Sequence, residues 1–135
     1  VSEAEALDYV LGYTIGNDVS ERSWQRADRT LWRAKNTDTF KPMGPWIETE
    51  IPEPDDLHVT IRLNGREVYT YDVGDAIFSI RHFISRMSQY VTIQPGDVLW
   101  MGTDGPTENM AHGDLVEIEI PGIGVLSNPV TRERR

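Results

Sequence analysis

Residues 57–63, Leu-His-Val-Thr-Ile-Arg-Leu, alternate apolar and polar side chains strictly and run into Asn64-Gly65. Alternation at period two predicts a half-buried strand, and Asn-Gly is the pair that accepts positive φ at both central residues of a type I′ turn. Residues 67–71 then return as the second strand of a hairpin. A chain with such a hairpin near its middle is committed to antiparallel pairing there.

The remaining pattern extends that choice. Residues 13–17 read as a buried strand that runs into Asp18. Residues 98–101, Val-Leu-Trp-Met, read as a short buried strand reaching Gly102-Thr103. Residues 115–120 alternate Val116, Ile118 and Ile120 against Glu117 and Glu119, a strand with one wet face. The turn Pro121-Gly122-Ile123-Gly124 leads into a last strand over 125–130.

Helical signals are fewer. Ser2 and Glu5 spell a capping box that opens a short helix over residues 3–11, with Ala6, Leu7 and Val10 on one side and Gly12 as its end. Residues 19–30 are a turn or short helix, and 31–39 fit no single template. Asp75 can cap a helix whose apolar stripe is Ile77, Ile80, Phe83, Ile84, Met87 and Val91. Pro95-Gly96-Asp97 is a turn, and a glycine-containing loop runs from Asp104-Gly105-Pro106 to His112-Gly113-Asp114. About six strands and two or three helices, several joined by hairpins, argue for an α+β, mainly β architecture and against repeated βαβ winding.

The chain has 135 residues, enough for one core and short for two domains. Its formal charge is -9, from 13 basic and 22 acidic residues, and no basic stripe compensates. Such a chain is expected to repel nucleic acid and to avoid anionic membranes, and an acidic ligand needs a local cation. No apolar run approaches the roughly 18 residues of a membrane span. The absence of cysteine excludes disulfides, thiolate nucleophiles and zinc-thiolate sites, and fits a cytoplasmic protein. A start at a helix cap, without an initiator Met, is expected of a segment of something longer. The charged tail from Thr131 to Arg135 is expected to fray.

Candidate chemistry gathers in two stretches. Asp18 stands where a buried strand meets a polar turn, a place where rigid support holds ligands well. The plainer alternative is an Asn-Asp turn that caps the next helix. Arg22 and Gln25 follow at spacings that share a helix face, where an arginine fork and an amide can hold a carboxylate or carbonyl, or simply remain solvated. Lys35, after the apolar Leu31-Trp32 pair, can stabilise an enolate or oxyanion, although most lysines stay in water. Thr39 adds a hydroxyl or ends a turn. Gly102-Thr103 offers a hydroxyl and close backbone approach. His58, His82 and His112 share no pattern and read as surface residues. No nucleophilic serine motif, Walker loop or dinucleotide fingerprint is present.

Four segments in order resemble the fumarylacetoacetate hydrolase family. They are Gly12-Tyr13-Thr14-Ile15-Gly16-Asn17-Asp18-Val19-Ser20 with Arg22 and Gln25; Arg33-Ala34-Lys35 through Asp38-Thr39-Phe40 to Gly44-Pro45-Trp46; Gln94-Pro95-Gly96-Asp97-Val98 with Gly102-Thr103; and Gly113-Asp114 leading to Gly122-Ile123-Gly124 and Asn128-Pro129-Val130. The resemblance implies the family's mixed β-sandwich roll with a few short helices, commonly homodimeric, and residues 1–135 as one catalytic domain lacking its amino-terminal part. It implies a divalent ion, Mg2+ or Mn2+ with Ca2+ as an alternative, held by an upstream Glu-x-Glu pair and the aspartate matching Asp18. Lys35, Arg22 and Gln25 match catalytic positions, and Thr39, Gly102 and Thr103 match substrate-binding ones. Family substrates are 2-oxo acids, often acylpyruvates.

The chain departs from that pattern in two places. No Glu-x-Glu lies upstream of Asp18 except Glu3 and Glu5, which the capping box assigns to a helix. Asn36-Thr37 replaces the more usual Ser-Phe after the lysine. The activity implied is metal-dependent C–C hydrolysis of a 2-oxo acid through an enolate. The alternatives are isomerisation or decarboxylation of hydroxymuconate-type diacids, a non-catalytic β-rich binding or oligomerisation module, or a decayed paralogue.

Overall fold

The computed structural model describes residues 1–103 and 108–132. The loop expected at Asp104-Gly105-Pro106 and the last charged residues, 133–135, lie outside the described residues. Strands dominate, in two antiparallel sheets. β1 (Tyr13–Gly16) pairs with β2 (Met43–Glu48). β3 (His58–Leu63), β4 (Arg66–Asp72), β5 (Leu115–Ile120) and β6 (Gly124–Pro129) form a four-stranded sheet in the order β4-β3-β5-β6. The helices are short: α1 (Arg22–Gln25), α2 (Trp32–Asn36) and α3 (Ile80–Ser88). The architecture is α+β and mainly β, as the hairpin signals predict.

The Asn64-Gly65 turn forms with φ of 54° and 76°, so both central residues take the left-handed region that a type I′ turn requires. The register places His58 opposite Asp72 and Leu63 opposite Arg66. β3 is not half-buried, however. Val59, Thr60 and Ile61 are all buried, because β3 lies inside the sheet between β4 and β5, where flanking residues shield even its polar threonine. β5 keeps one wet face, with Val116, Ile118 and Ile120 buried and Glu117 and Glu119 half-buried. Glu119 accepts a 2.6 Å hydrogen bond from Arg62 across the strands.

The main core lies where the small sheet meets the large one. Ile15 of β1 packs with Val59, Ile61, Val116, Ile118, Ile120, Ile123 and Leu126. A second, smaller core joins Ala6, Ile80 and Ile84, with Leu7, Val10, Val73 and Leu99 against them. Here the expected amino-terminal helix is one 3-10 turn, Ala6–Tyr9. Its capping pair does form, since Ser2 Oγ donates to Glu5 at 2.6 Å and Glu5 N–H donates back to Ser2 Oγ at 3.3 Å.

Two local expectations are corrected. α3 begins at Ile80 and is capped by Ser79, whose hydroxyl accepts from His82 N–H at 3.1 Å, while Asp75 ends a separate 3-10 turn. Ile77 is 93% exposed and Val91 55%, so neither belongs to the buried stripe, which is Ile80 and Ile84. Residues 98–101 form no strand, and Val98 and Met101 are exposed. A strand that the sequence pattern did not announce is β2, which contains Gly44-Pro45. Among the described residues no helix is long and apolar enough to cross a membrane.

Candidate active site

β1 delivers its last residues into a fixed loop. Asn17 is buried; its N–H donates to the Pro42 carbonyl at 3.0 Å and its Nδ2 donates to Asn128 Oδ1 at 3.1 Å. Those bonds tie the end of β1 both to the approach of β2 and to β6, so the backbone at Asp18 is held from two sides. A tight turn follows, with Val19 N–H donating to the Asn17 carbonyl at 2.9 Å and Ser20 Oγ to the Asp18 carbonyl at 3.1 Å.

The Asp18 side chain caps no helix. Glu21 caps α1, accepting from Ser23 N–H at 2.9 Å. Asp18 instead receives two ammonium groups: Lys35 donates to Oδ2 and Lys41 to Oδ1, the latter at 2.6 Å. All three side chains are largely buried, between 18% and 25% exposed. Burial alone would raise the Asp18 carboxyl above its ordinary value of 3.8, but the hydrogen bonds and charges of Lys35 and Lys41 together outweigh it and hold it lower.

Each lysine has its own support. Lys35 rises from α2, whose start is fixed by Asp28: Oδ2 accepts from Ala34 N–H at 2.9 Å and Oδ1 from Thr30 Oγ1 at 3.0 Å. The Ala34 carbonyl in turn accepts from Glu21 N–H at 2.9 Å, joining α2 to α1. Lys41 comes from the loop before β2 and lies 4.4 Å from the centre of the Trp100 ring, a cation–π distance. The Trp100 ring rests on Gly16, where a Cβ would come within 2.7 Å of it.

Sequence reasoning named Asp18 and Lys35, and the fold brings these two together. It missed Lys41 and Trp100. The only signal for Lys41 was its place within the polar stretch from Lys35 to Gly44; nothing in the sequence pairs Trp100 with it. Arg22 and Gln25 meet each other, Arg22 Nη1 donating to Gln25 Oε1 at 2.8 Å on the exposed side of α1. No hydrogen bond or ion pair joins either of them to Asp18 among the described residues. Thr39 is exposed at φ 70°, a strained setting for a β-branched residue, within the loop that separates the two lysines. Gly102, at φ 84°, and Thr103 are exposed just after the Trp100 segment.

The histidines stand apart. His58 pairs with Asp72 at 2.6 Å and His82 with Glu3 at 2.9 Å, both exposed, and His112 accepts from Arg132 N–H at 3.2 Å. Glu3 and Glu5 are thus engaged with His82 and Ser2.

These residues do not by themselves fit a divalent ion. Both oxygens of Asp18 are taken by ammonium groups, and among the described residues no three His, Asp or Glu side chains gather around one point. Two ammonium groups against one carboxylate leave the cluster one net positive charge, in a chain of net charge -9. Such a cluster is suited to an anion.

The family described as fumarylacetoacetate (FAA) hydrolase C-terminal matches residues 1–131. The chain is 37% identical over 145 residues to 2,4-didehydro-3-deoxy-L-rhamnonate hydrolase of Sphingomonas sp. (strain SKA58), covering 99% of this chain and 51% of that protein. It is 38% identical over 136 residues to the 4-hydroxyphenylacetate degradation bifunctional isomerase/decarboxylase of Salmonella dublin, covering 98% of this chain and 32% of the relative. The crystal structure of 5-carboxymethyl-2-hydroxymuconate delta-isomerase from Mycobacterium smegmatis is similar with a TM-score of 0.95 at 40% identity, covering 100% of this chain and 53% of that one. The chain spans about half the length of the curated relatives it matches. On the extent of that match and the shared fold, the chain belongs to the fumarylacetoacetate hydrolase family.

Proposed function

We propose that this chain is the carboxy-terminal catalytic part of an enzyme that acts on small anionic 2-oxo acids, with the cluster of Asp18, Lys35 and Lys41 at its centre. The observation that carries the reading is that cluster: a largely buried ion-pair triad with one net positive charge, fixed at the end of β1. Lys35 is proposed to share negative charge as it develops on a substrate oxygen, a role supported by its bond to Asp18 and by the Asp28 bond to the helix that carries it. Arg22, Gln25 and Thr39, with Gly102 and Thr103, are proposed to reach the substrate in the complete protein.

The reaction proposed is C–C hydrolysis of an acylpyruvate. Water adds to the distal carbonyl; the C–C bond breaks; its electron pair remains on the leaving fragment as an enolate, which takes up a proton to give pyruvate beside the released acid. Isomerisation of a hydroxymuconate-type diacid is the second reading, favoured by the likeness to 5-carboxymethyl-2-hydroxymuconate delta-isomerase. It passes through a dienolate of the intact diacid and moves a proton without breaking a C–C bond or consuming water. A cytoplasmic homodimer is the proposed setting.

The test is steady-state kinetics on the full-length protein with an acylpyruvate and a hydroxymuconate diacid. Lys35→Met should lower kcat by about a hundredfold or more while KM changes little, the size seen when one charge-stabilising group is removed. Turnover equal to wild type would reject Lys35 as the enolate partner. Incorporation of labelled oxygen from water into the product acid separates hydrolysis from isomerisation.

A further inference from the structure

No basic stripe offsets the charge of the chain as a whole, but one segment runs against it. Residues 22–41 carry six basic side chains, Arg22, Arg26, Arg29, Arg33, Lys35 and Lys41, against two acidic ones, Asp28 and Asp38, a net charge of +4. The rest of the chain holds 7 basic and 20 acidic side chains, a net charge of -13. The fold joins this positive segment to the Asp18 cluster. α1 begins four residues after Asp18, Glu21 N–H donates to the Ala34 carbonyl at 2.9 Å to hold α1 to α2, and α2 carries Lys35 into the cluster. Lys35 and Lys41 are engaged with Asp18, and Arg22 with the Gln25 amide. Arg26, Arg29 and Arg33 are exposed, and among the described residues none of them forms an ion pair. Arg33 lies 4.9 Å from the centre of the Trp24 ring, a contact that holds the guanidinium without cancelling its charge. Beyond this segment arginines do meet carboxylates: Arg62 pairs with Glu119, Arg66 with Glu108 and Arg81 with Glu53.

We infer that Arg26, Arg29 and Arg33 form an electrostatic guide, which draws anionic ligands toward the Asp18 cluster by its field and not by contact, and so favours ligands with two negative charges over ligands with one. This rests on the reading of that cluster as the anion-binding centre given above. The guide has a definite charge law. A potential that raises the local concentration of a monoanion by some factor raises that of a dianion by the square of the factor. Salt weakens the same field, because the Debye length shrinks from about 30 Å at 0.01 M to about 8 Å at 0.15 M ionic strength. An arginine that gripped the second carboxylate directly would behave differently, since its loss would affect the dianion alone.

The experiment is isothermal titration of the full-length protein with 2-oxoglutarate, a dianion, and 2-oxobutyrate, a monoanion, at ionic strengths of about 0.01 M and about 0.15 M. Neither acid is a 1,3-dicarbonyl, so neither is consumed by the proposed hydrolysis. At the lower salt, the combined variant Arg26→Gln, Arg29→Gln, Arg33→Gln should bind 2-oxobutyrate about threefold and 2-oxoglutarate about tenfold more weakly than wild type. At the higher salt both losses should shrink. The combined variant Arg26→Lys, Arg29→Lys, Arg33→Lys keeps the charge and should bind like wild type, which separates the field from damage to the fold. Equal losses for the two acids, a loss confined to 2-oxoglutarate, losses unchanged by salt, a lysine variant as weak as the glutamine one, or no binding of either acid by wild type would each overturn the guide. These titrations need no turnover. Titrations without charge dependence sink the guide alone, whereas charge-dependent binding with no turnover of any substrate sinks the enzymatic reading alone.

Discussion

Asp114 shows how a single ionised side chain holds the hairpin to the rest of the sheet. Its Oδ1 accepts from Asn64 Nδ2 at 2.9 Å and its Oδ2 from Ala111 N–H at 2.6 Å, while Asn64 Oδ1 accepts from Leu115 N–H at 2.9 Å. The Asn64 hydrogen bond first, then that from Ala111, holds the Asp114 carboxyl below its ordinary 3.8. For a carboxyl lowered by folding, the stabilisation is complete above the unfolded value and is lost as pH falls through the folded one. Asp114→Asn should therefore be less stable than wild type from neutral pH down to about pH 4, with the gap closing as the pH falls from about 4 to about 2. Urea midpoints of both proteins across that range check it; a constant gap would show that ionisation of Asp114 contributes nothing. Residues of this kind were legible only in part. Asn64 was readable because Asn-Gly has one common use, whereas its tie to Asp114 crosses 50 positions of sequence. Lys41 was hidden for the same reason: its partner is 23 residues away and its ring contact lies beyond β4.

At the scale of elements, two glycines decide how β1 sits. A Cβ at Gly12 would lie 2.4 Å from the Glu48 carbonyl oxygen, and one at Gly16 would lie 2.7 Å from the Trp100 ring. A side-chain ring can shift, but a strand backbone cannot without breaking the β1–β2 pairing. Gly16→Ala should cost about 1–3 kcal/mol, and Gly12→Ala more than that. Thermal unfolding of the two variants checks the order, and a larger loss at Gly16 would contradict it. The strands themselves were unevenly readable. β3 with β4 and β5 with β6 are joined by local turns, so those two pairings could be read from neighbours in sequence, whereas the pairing of β3 with β5 could not. β2 carries Gly44-Pro45 and no clean alternation, and it is a strand because β1 lies alongside, with Tyr13 opposite Glu48. Residues 98–101 had the apolar run of a buried strand, yet they pair with no strand here and serve to place Trp100 on Gly16.

Over the whole molecule, several large apolar side chains lie on the surface: Trp32, Trp46, Ile47, Ile77 and Phe78 are each more than half exposed. Exposed aromatic and aliphatic groups of this size mark surfaces that other protein covers. The homodimer proposed above should appear in sedimentation velocity of the full-length protein, and Trp46→Glu should shift it toward monomer. A wild-type protein that sediments as a monomer at all concentrations tested would remove that assembly.

By itself the sequence determined that this chain forms a mainly antiparallel β fold, that it carries a net charge of -9, and that Asp18 and Lys35 were candidates for its chemistry. Turns, alternation and charge are local properties, and a chain carries them wherever it goes. Only the tertiary structure decided that β2 is a strand, that β3 is buried on both sides, and that Lys41 and Trp100 complete the Asp18 cluster. Those outcomes depend on what lies across a sheet or a loop, and distance along the chain says nothing about it.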